Sequence, residues 1–194
     1  MIEKLEERLN KIPSRITSSD VLRGSGIGNE VAFYIFDYPP EAEERLREYV
    51  PFLLGHLAKT QPTLRIAHIN LFEFMIRKLE ARGFLEKSFE MQKKDGDASL
   101  IKKLKGQFEG TKLSEYFVEE INPEEFNLVL ITGVGNAFPI VRAHTLLSAL
   151  QPKMKTTPLV MFYPGVYDGQ YVRLFGKVMS DLKNPYYRAF KLVP

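Results

Sequence analysis

Leu128-Val-Leu-Ile-Thr-Gly-Val-Gly-Asn-Ala-Phe-Pro-Ile-Val-Arg-Ala-His-Thr-Leu-Leu-Ser-Ala-Leu150 decides the fold. Its first four residues, Leu128 to Ile131, are an unbroken apolar run rich in branched side chains. Such a run suits a strand covered on both faces, as parallel sheets provide. Thr132 and Gly133 break the run and Gly135 loosens it again. Pro139 fits the first turn of a helix, where its missing N–H costs nothing. From Ile140, the residues Ile140, Ala143, Leu147 and Leu150 recur at helical spacing, and Gln151-Pro152 ends the helix. Strand, glycine turn and helix make half of a βαβ unit.

Working outward, four more strands are predicted, at 31–36, 63–69, 158–163 and 187–193. The last alternates enough to suit a sheet edge. Pro39-Pro40 leads into a helix whose first turns carry Glu41, Glu43 and Glu44, charges that suit a helix N-terminus. Pro51 is expected to kink or divide it. Asn70 caps the next helix with Glu73 three residues on, and Gly83 stops it. Residues 84–122 read as two or three helices broken at Asp95-Gly96-Asp97 and Gly110-Thr111, a helical insertion between strands two and three. Residues 164–186 read mostly as loop with one short element. The order predicts an α/β fold: a mainly parallel five-stranded sheet with helices on both faces, Rossmann-like, within one domain over 1–194.

Residues 1–28 are a helix and a loop. Ile2, Leu5, Leu9 and Ile12 form an apolar stripe, and Pro13 is expected to stop that helix. The stripe docks either on its own domain or on another protein. The chain has 194 residues, 44% hydrophobic and 26% charged, with net charge +3 and no cysteine. Disulfide frameworks, thiol nucleophiles and cysteine zinc sites are therefore excluded. No apolar run approaches the ~18 residues of a membrane span. The charged N-terminal helix is not a signal peptide, and the lack of cysteine is compatible with a reducing cytoplasm.

Ligands of such sheets sit beyond the carboxyl ends of the strands. The residues there are Asp37, Asn70, Thr132, Gly133, Gly135, Asn136, Arg142, Tyr163 and, in the loop after strand four, Asp168. The Gly133–Gly135 turn suits either an anion or tight chain geometry. It is no dinucleotide fingerprint, since Phe138 stands where the third glycine belongs, and no P-loop occurs anywhere. Asp37 reads as a metal ligand or base, or as a turn residue before Pro39. The histidines His56, His68 and His144 have no metal-ligand spacing. Lys93, Lys94, Lys102, Lys103, Lys105 and Lys112 read as a solvated face or as phosphate contacts. Tyr167, Tyr171, Tyr186 and Tyr187 belong to an aromatic-dense C-terminal third that serves either a partner or the core.

Several strings in order carry a resemblance. They are Asp37-Tyr-Pro-Pro-Glu41, Arg82-Gly-Phe-Leu-Glu86, Leu130-Ile-Thr-Gly-Val-Gly135, Arg142-Ala-His-Thr-Leu-Leu147 with Gln151-Pro152, Phe162-Tyr-Pro-Gly165 with Tyr167-Asp-Gly169, Arg173-Leu-Phe-Gly176 and Tyr186-Tyr-Arg-Ala-Phe190. From about Phe36 to Val193 their order and spacing resemble the BrxB family, a component of BREX bacteriophage-defence systems. The resemblance implies a cytoplasmic, non-catalytic adaptor without a cofactor or metal. It implies other BREX proteins as partners, first among them the phosphatase-like PglZ. Two rival readings remain: a nucleotide-binding or phosphoester-cleaving enzyme with its site at the carboxyl edge of the sheet, and a nucleic-acid-binding accessory protein acting through the insertion lysines.

Overall fold

The run at 128–132 is strand β3, and all four residues from Leu128 to Ile131 are buried. The computed structural model describes residues 2–23, 33–176 and 189–194. Residues 24–28 of the N-terminal loop, Tyr186 and Tyr187 lie outside the described residues, as does the side chain of Ile2.

The chain runs α1 (Ile2–Ile16), α2 (Ser19–Leu22), β1 (Phe33–Tyr38), α3 (Glu43–Thr60), β2 (Ile66–Asn70), α4 (Leu71–Ala81), α5 (Leu85–Gln107), α6 (Gly110–Glu120), β3, α7 (Val134–Ala137), α8 (Ala143–Leu150), β4 (Leu159–Tyr167), β5 (Val172–Leu174) and β6 (Ala189–Lys191). Strands β2-β3-β4-β1-β6 lie side by side and are parallel throughout. Strand β5 folds back antiparallel on the far end of β4. The α/β architecture is therefore as expected, with one strand more.

Strand alternation divides the core in two. Tyr34, Phe36, Leu128, Leu130, Val160 and Phe162 face α1, α2 and α3. Phe33, Ile35, Val129, Ile131, Leu159 and Met161 face α4 to α8. The connection from β1 to β2 crosses the sheet in the direction opposite to the steps from β2 to β3 to β4. With right-handed crossovers, that reversal puts α3 on the other face from the later helices. Each fully buried aliphatic side chain contributes roughly 1.5–3 kcal/mol.

Several boundaries differ from expectation. Pro13 lies inside α1, which continues to Ile16. A helix-interior proline frees the carbonyl four residues back. Here that is Leu9, and the Tyr49 hydroxyl of α3 donates to it at 2.7 Å. Pro51 likewise lies inside an unbroken α3, on its exposed side. Pro139 does not open a helix: it follows a cis peptide bond within a turn, and α8 starts at Ala143. Strand β4 continues through Pro164 and Gly165 to Tyr167. Gly165 permits the hairpin with β5, because a Cβ there would strike the Arg173 backbone. The insertion is as read: α5 is kinked at Gly96, where φ is 78°, and α6 follows. Asn70 caps α4, its Oδ1 accepting from Glu73 N at 3.3 Å.

Candidate functional site

The carboxyl edge separates into two places. The first is built on Asp37, which sits inside β1 and not beyond it. Its side chain is 10% exposed. Arg8 of α1 donates from Nη2 to Asp37 Oδ1 and from Nη1 to the Asp37 carbonyl, both at 2.7 Å. The Tyr167 backbone N–H donates to Oδ2 at 3.0 Å, and Lys191 Nζ lies 3.7 Å away. The Arg8 guanidinium also reaches the Val193 carbonyl at 2.9 Å and lies 4.7 Å over the Phe36 ring. Two turns further along α1, Arg15 donates to the Leu192 carbonyl at 3.2 Å. Both carboxylate oxygens are thus engaged by charge-assisted partners. Asp37 ties α1, β1, β4 and the β6 segment together.

The second place is a groove of about 320 Å³ between α3 and the ends of β2 and β3. Asn70, Thr132, Gly133 and Asn136 line it, so these four expected residues do converge. Asp37, Gly135, Arg142, Tyr163 and Asp168 are not part of its lining. Tyr38, Glu43 and Arg47 line it too, none of which the sequence reading offered as a site residue. The Tyr38 hydroxyl donates to Glu43 Oε2 at 2.6 Å, and Arg47 lies 3.6 Å from the other oxygen. Burial, then the Glu43 contact, pushes the Tyr38 hydroxyl well above the ordinary tyrosine range. His68 Nε2 lies 2.9 Å from Thr132 Oγ1. Desolvation by the groove walls lowers the His68 pKa, which the Glu73 charge partly offsets.

The glycine turn has structural work at both positions. Gly133 adopts φ +68°, and a Cβ there would collide with Asn70 Oδ1. Left-handed geometry and close approach to the α4 cap both demand glycine. A Cβ on Gly135 would press on Pro164 and Phe175. Helix α7 is only four residues long.

The remaining candidates are dispersed. Arg142 is the residue before α8 and lines a separate concavity with Lys105 and Pro139. Tyr163 is buried on the α4–α8 face of the sheet. Asp168 holds the β4–β5 turn: it accepts from Gln170 N and Tyr171 N and pairs with Arg173 at 2.7 Å. Those backbone donors hold its pKa down. Tyr167, offered as an interface residue, is core instead. It is fully buried, its hydroxyl donates to the Ala189 carbonyl at 2.6 Å, and burial pushes its pKa up to about 12. Tyr171 is half-buried. Leu5, Leu9 and Ile12 are buried in this chain's own core, so the N-terminal stripe is not a free surface. The lysines from Lys93 to Lys105 are exposed on α5, a helix that buries Leu104 alone. His56 stacks on Phe52, and His144 contacts Thr145. Among the described residues, no cluster of His, Cys, Asp or Glu is placed to hold a metal, and no helix is long and apolar enough to cross a membrane.

Arg8 and Lys191 were missed because nothing in their spacing relates them to position 37. The one available signal was an arginine beside Leu9, able to reach over the edge of the stripe that α1 buries.

The chain is similar in sequence to one family. The family described as BREX protein BrxB matches residues 67–192. A BREX protein BrxB of Escherichia coli O9:H4 (strain HS) is 40% identical over 190 residues, covering 98% of this chain and 92% of that protein. A BREX protein BrxB of Bacillus cereus (strain H3081.97) is 37% identical over 196 residues, covering 99% of each. No solved structure matches.

Proposed function

The chain belongs to the BrxB family and is a component of a BREX phage-defence system, and from that premise we propose that it works as a non-catalytic adaptor. Its partners in this reading are other BREX proteins, with the phosphatase-like PglZ first.

One observation carries the proposal: Asp37, His68 and Asn70 at the carboxyl edge already have partners within the chain. Asp37 is held from three sides, His68 meets Thr132, and Asn70 is occupied by Glu73. A nucleophile or base needs a free valence facing substrate. These groups instead fix backbone and helix ends. Co-purification of PglZ with this protein from the native system tests the adaptor reading directly. A stable complex supports it. Separate migration of the two proteins at matched concentration overturns it.

The groove favours a second reading, a nucleotide-binding or phosphoester-cleaving enzyme. A 320 Å³ concavity at the carboxyl edge is the usual place for a ligand in this sheet type. Thermal shift with ATP, GTP, S-adenosylmethionine and Mg²⁺ separates the two readings. A ligand at 100 times its dissociation constant adds roughly 2.7 kcal/mol, a rise easily seen.

A further inference from the structure

Helix α3 buries Leu46, Tyr49, Val50, Leu53 and Leu57 against the sheet. Its outer side carries what a solvated helix does not need. Phe52 is 67% exposed, with the His56 ring stacked on it at 6.3 Å. Pro51 and Gly55 lie on the same exposed turn and both disfavour helix. Gly55 has no steric reason within this chain, since a Cβ there would meet nothing within 4 Å.

At 100° per residue, positions 48, 52, 55 and 59 fall within about 60° of one another, a single outward stripe. Read along the helix it is Glu48, Phe52, Gly55, Lys59. That order is self-complementary when two such helices pack antiparallel. Phe52 of each copy then lies over Gly55 of the other, and Glu48 of each faces Lys59 of the other. Two-fold symmetry repeats both contacts. The charges are available for this: Glu48 has only a loose 3.9 Å contact with Arg45, and Lys59 has no ion-pair partner among the described residues.

We infer that the outer face of α3 is an isologous docking surface for a second copy of this chain, with Phe52 seated on the partner copy's Gly55 and Glu48 paired to its Lys59. A ring over a glycine lets two helix backbones approach closely, which gives the empty Cβ position a purpose. One helix pair is a small interface, so the dimer forms reversibly with concentration. This inference stands apart from the adaptor proposal, since it needs no other BREX protein.

Sedimentation equilibrium of the full chain across about 5–500 µM tests it, a range suited to a small reversible interface. The wild type dimerises within that range. Glu48→Lys and Lys59→Glu each place like charges opposite one another and weaken dimerisation about tenfold or more. The double exchange, Glu48→Lys with Lys59→Glu, restores it. Both positions are on the solvent side of the helix, so folding, followed by circular dichroism, stays intact. A monomer throughout the range, or a dimer indifferent to all three variants, overturns the inference.

Discussion

Helices α1 and α3 lie on the same face of the sheet, both contain a proline, and they treat it differently. In α1, the carbonyl that Pro13 frees is Leu9's, and the Tyr49 hydroxyl satisfies it in the interior. The apolar stripe of α1 is buried and its two arginines grip Asp37, Leu192 and Val193. In α3, Pro51 and Gly55 face outward, beside an exposed phenylalanine. Pro51 lines the groove, while Gly55 costs the helix stability with nothing within 4 Å of its Cβ position. A helix whose irregularities are answered by its own chain is scaffold. One whose irregularities are left open has a surface that the chain's own stability does not explain.

That contrast can be broken from either side. The largest effect is expected at Leu9, which is fully buried. Leu9→Ala destabilises by about 3–4 kcal/mol, and urea melts followed by circular dichroism measure it. Arg8→Met removes the nearer of the two cations at Asp37, leaving Lys191 at 3.7 Å, and costs about 2 kcal/mol, the range of a hydrogen bond to a charged group. A loss under 1 kcal/mol at Arg8 removes Asp37 from the centre of the scaffold. Tyr49→Phe deletes one hydroxyl and orphans the Leu9 carbonyl, at about 1–2 kcal/mol. On α3 the sign reverses. Gly55→Ala stabilises the monomer by about 0.5–1 kcal/mol, a rise of about 1–4 °C in Tm by calorimetry. If that substitution destabilises instead, Gly55 answers a need inside the chain and the contrast fails.

The smallest effect lies outside both helices, at His68. Its folded pKa is lowered by desolvation, so the unfolded chain binds the proton more readily. Its contribution to stability is complete above the unfolded value near 6.5 and is lost as pH falls through the depressed folded value. His68→Gln therefore flattens the acid side of the stability profile, read as Tm between pH 7 and 5.

What was legible in the sequence was periodic or local. The run at Leu128–Ile131 gave away a strand covered on both faces, and the Asn70–Glu73 spacing a helix cap, because each signal is complete within a few residues. Pro13 read as a helix end and Pro51 as a kink or division because their penalty is local, whereas what answers Pro13 is not. Tyr49 lies 40 positions from Leu9. Strand β5 was hidden because Pro164 and Gly165 look like a break, although Pro164 sits opposite Tyr38, the last residue of β1, where that parallel ladder ends. Four of the nine expected crevice residues did converge. Asp37, Arg142, Tyr163 and Asp168 were assigned to it by their position after strands, but which direction a side chain takes there depends on partners far along the chain. Asp37 is taken by Arg8 and Tyr167, 29 and 130 positions away.

The Arg8 bond to Val193 spans 185 positions. During synthesis, α1 is made long before the strand it must hold exists. Until residues 189–194 emerge, β1 lacks its outer neighbour and the guanidinium of Arg8 has only part of its cage. Contacts this distant are slow to form and are made last. Without residues 189–194 the sheet has an open seam along β1, and removing those six residues would loosen α1 at the other end of the sequence.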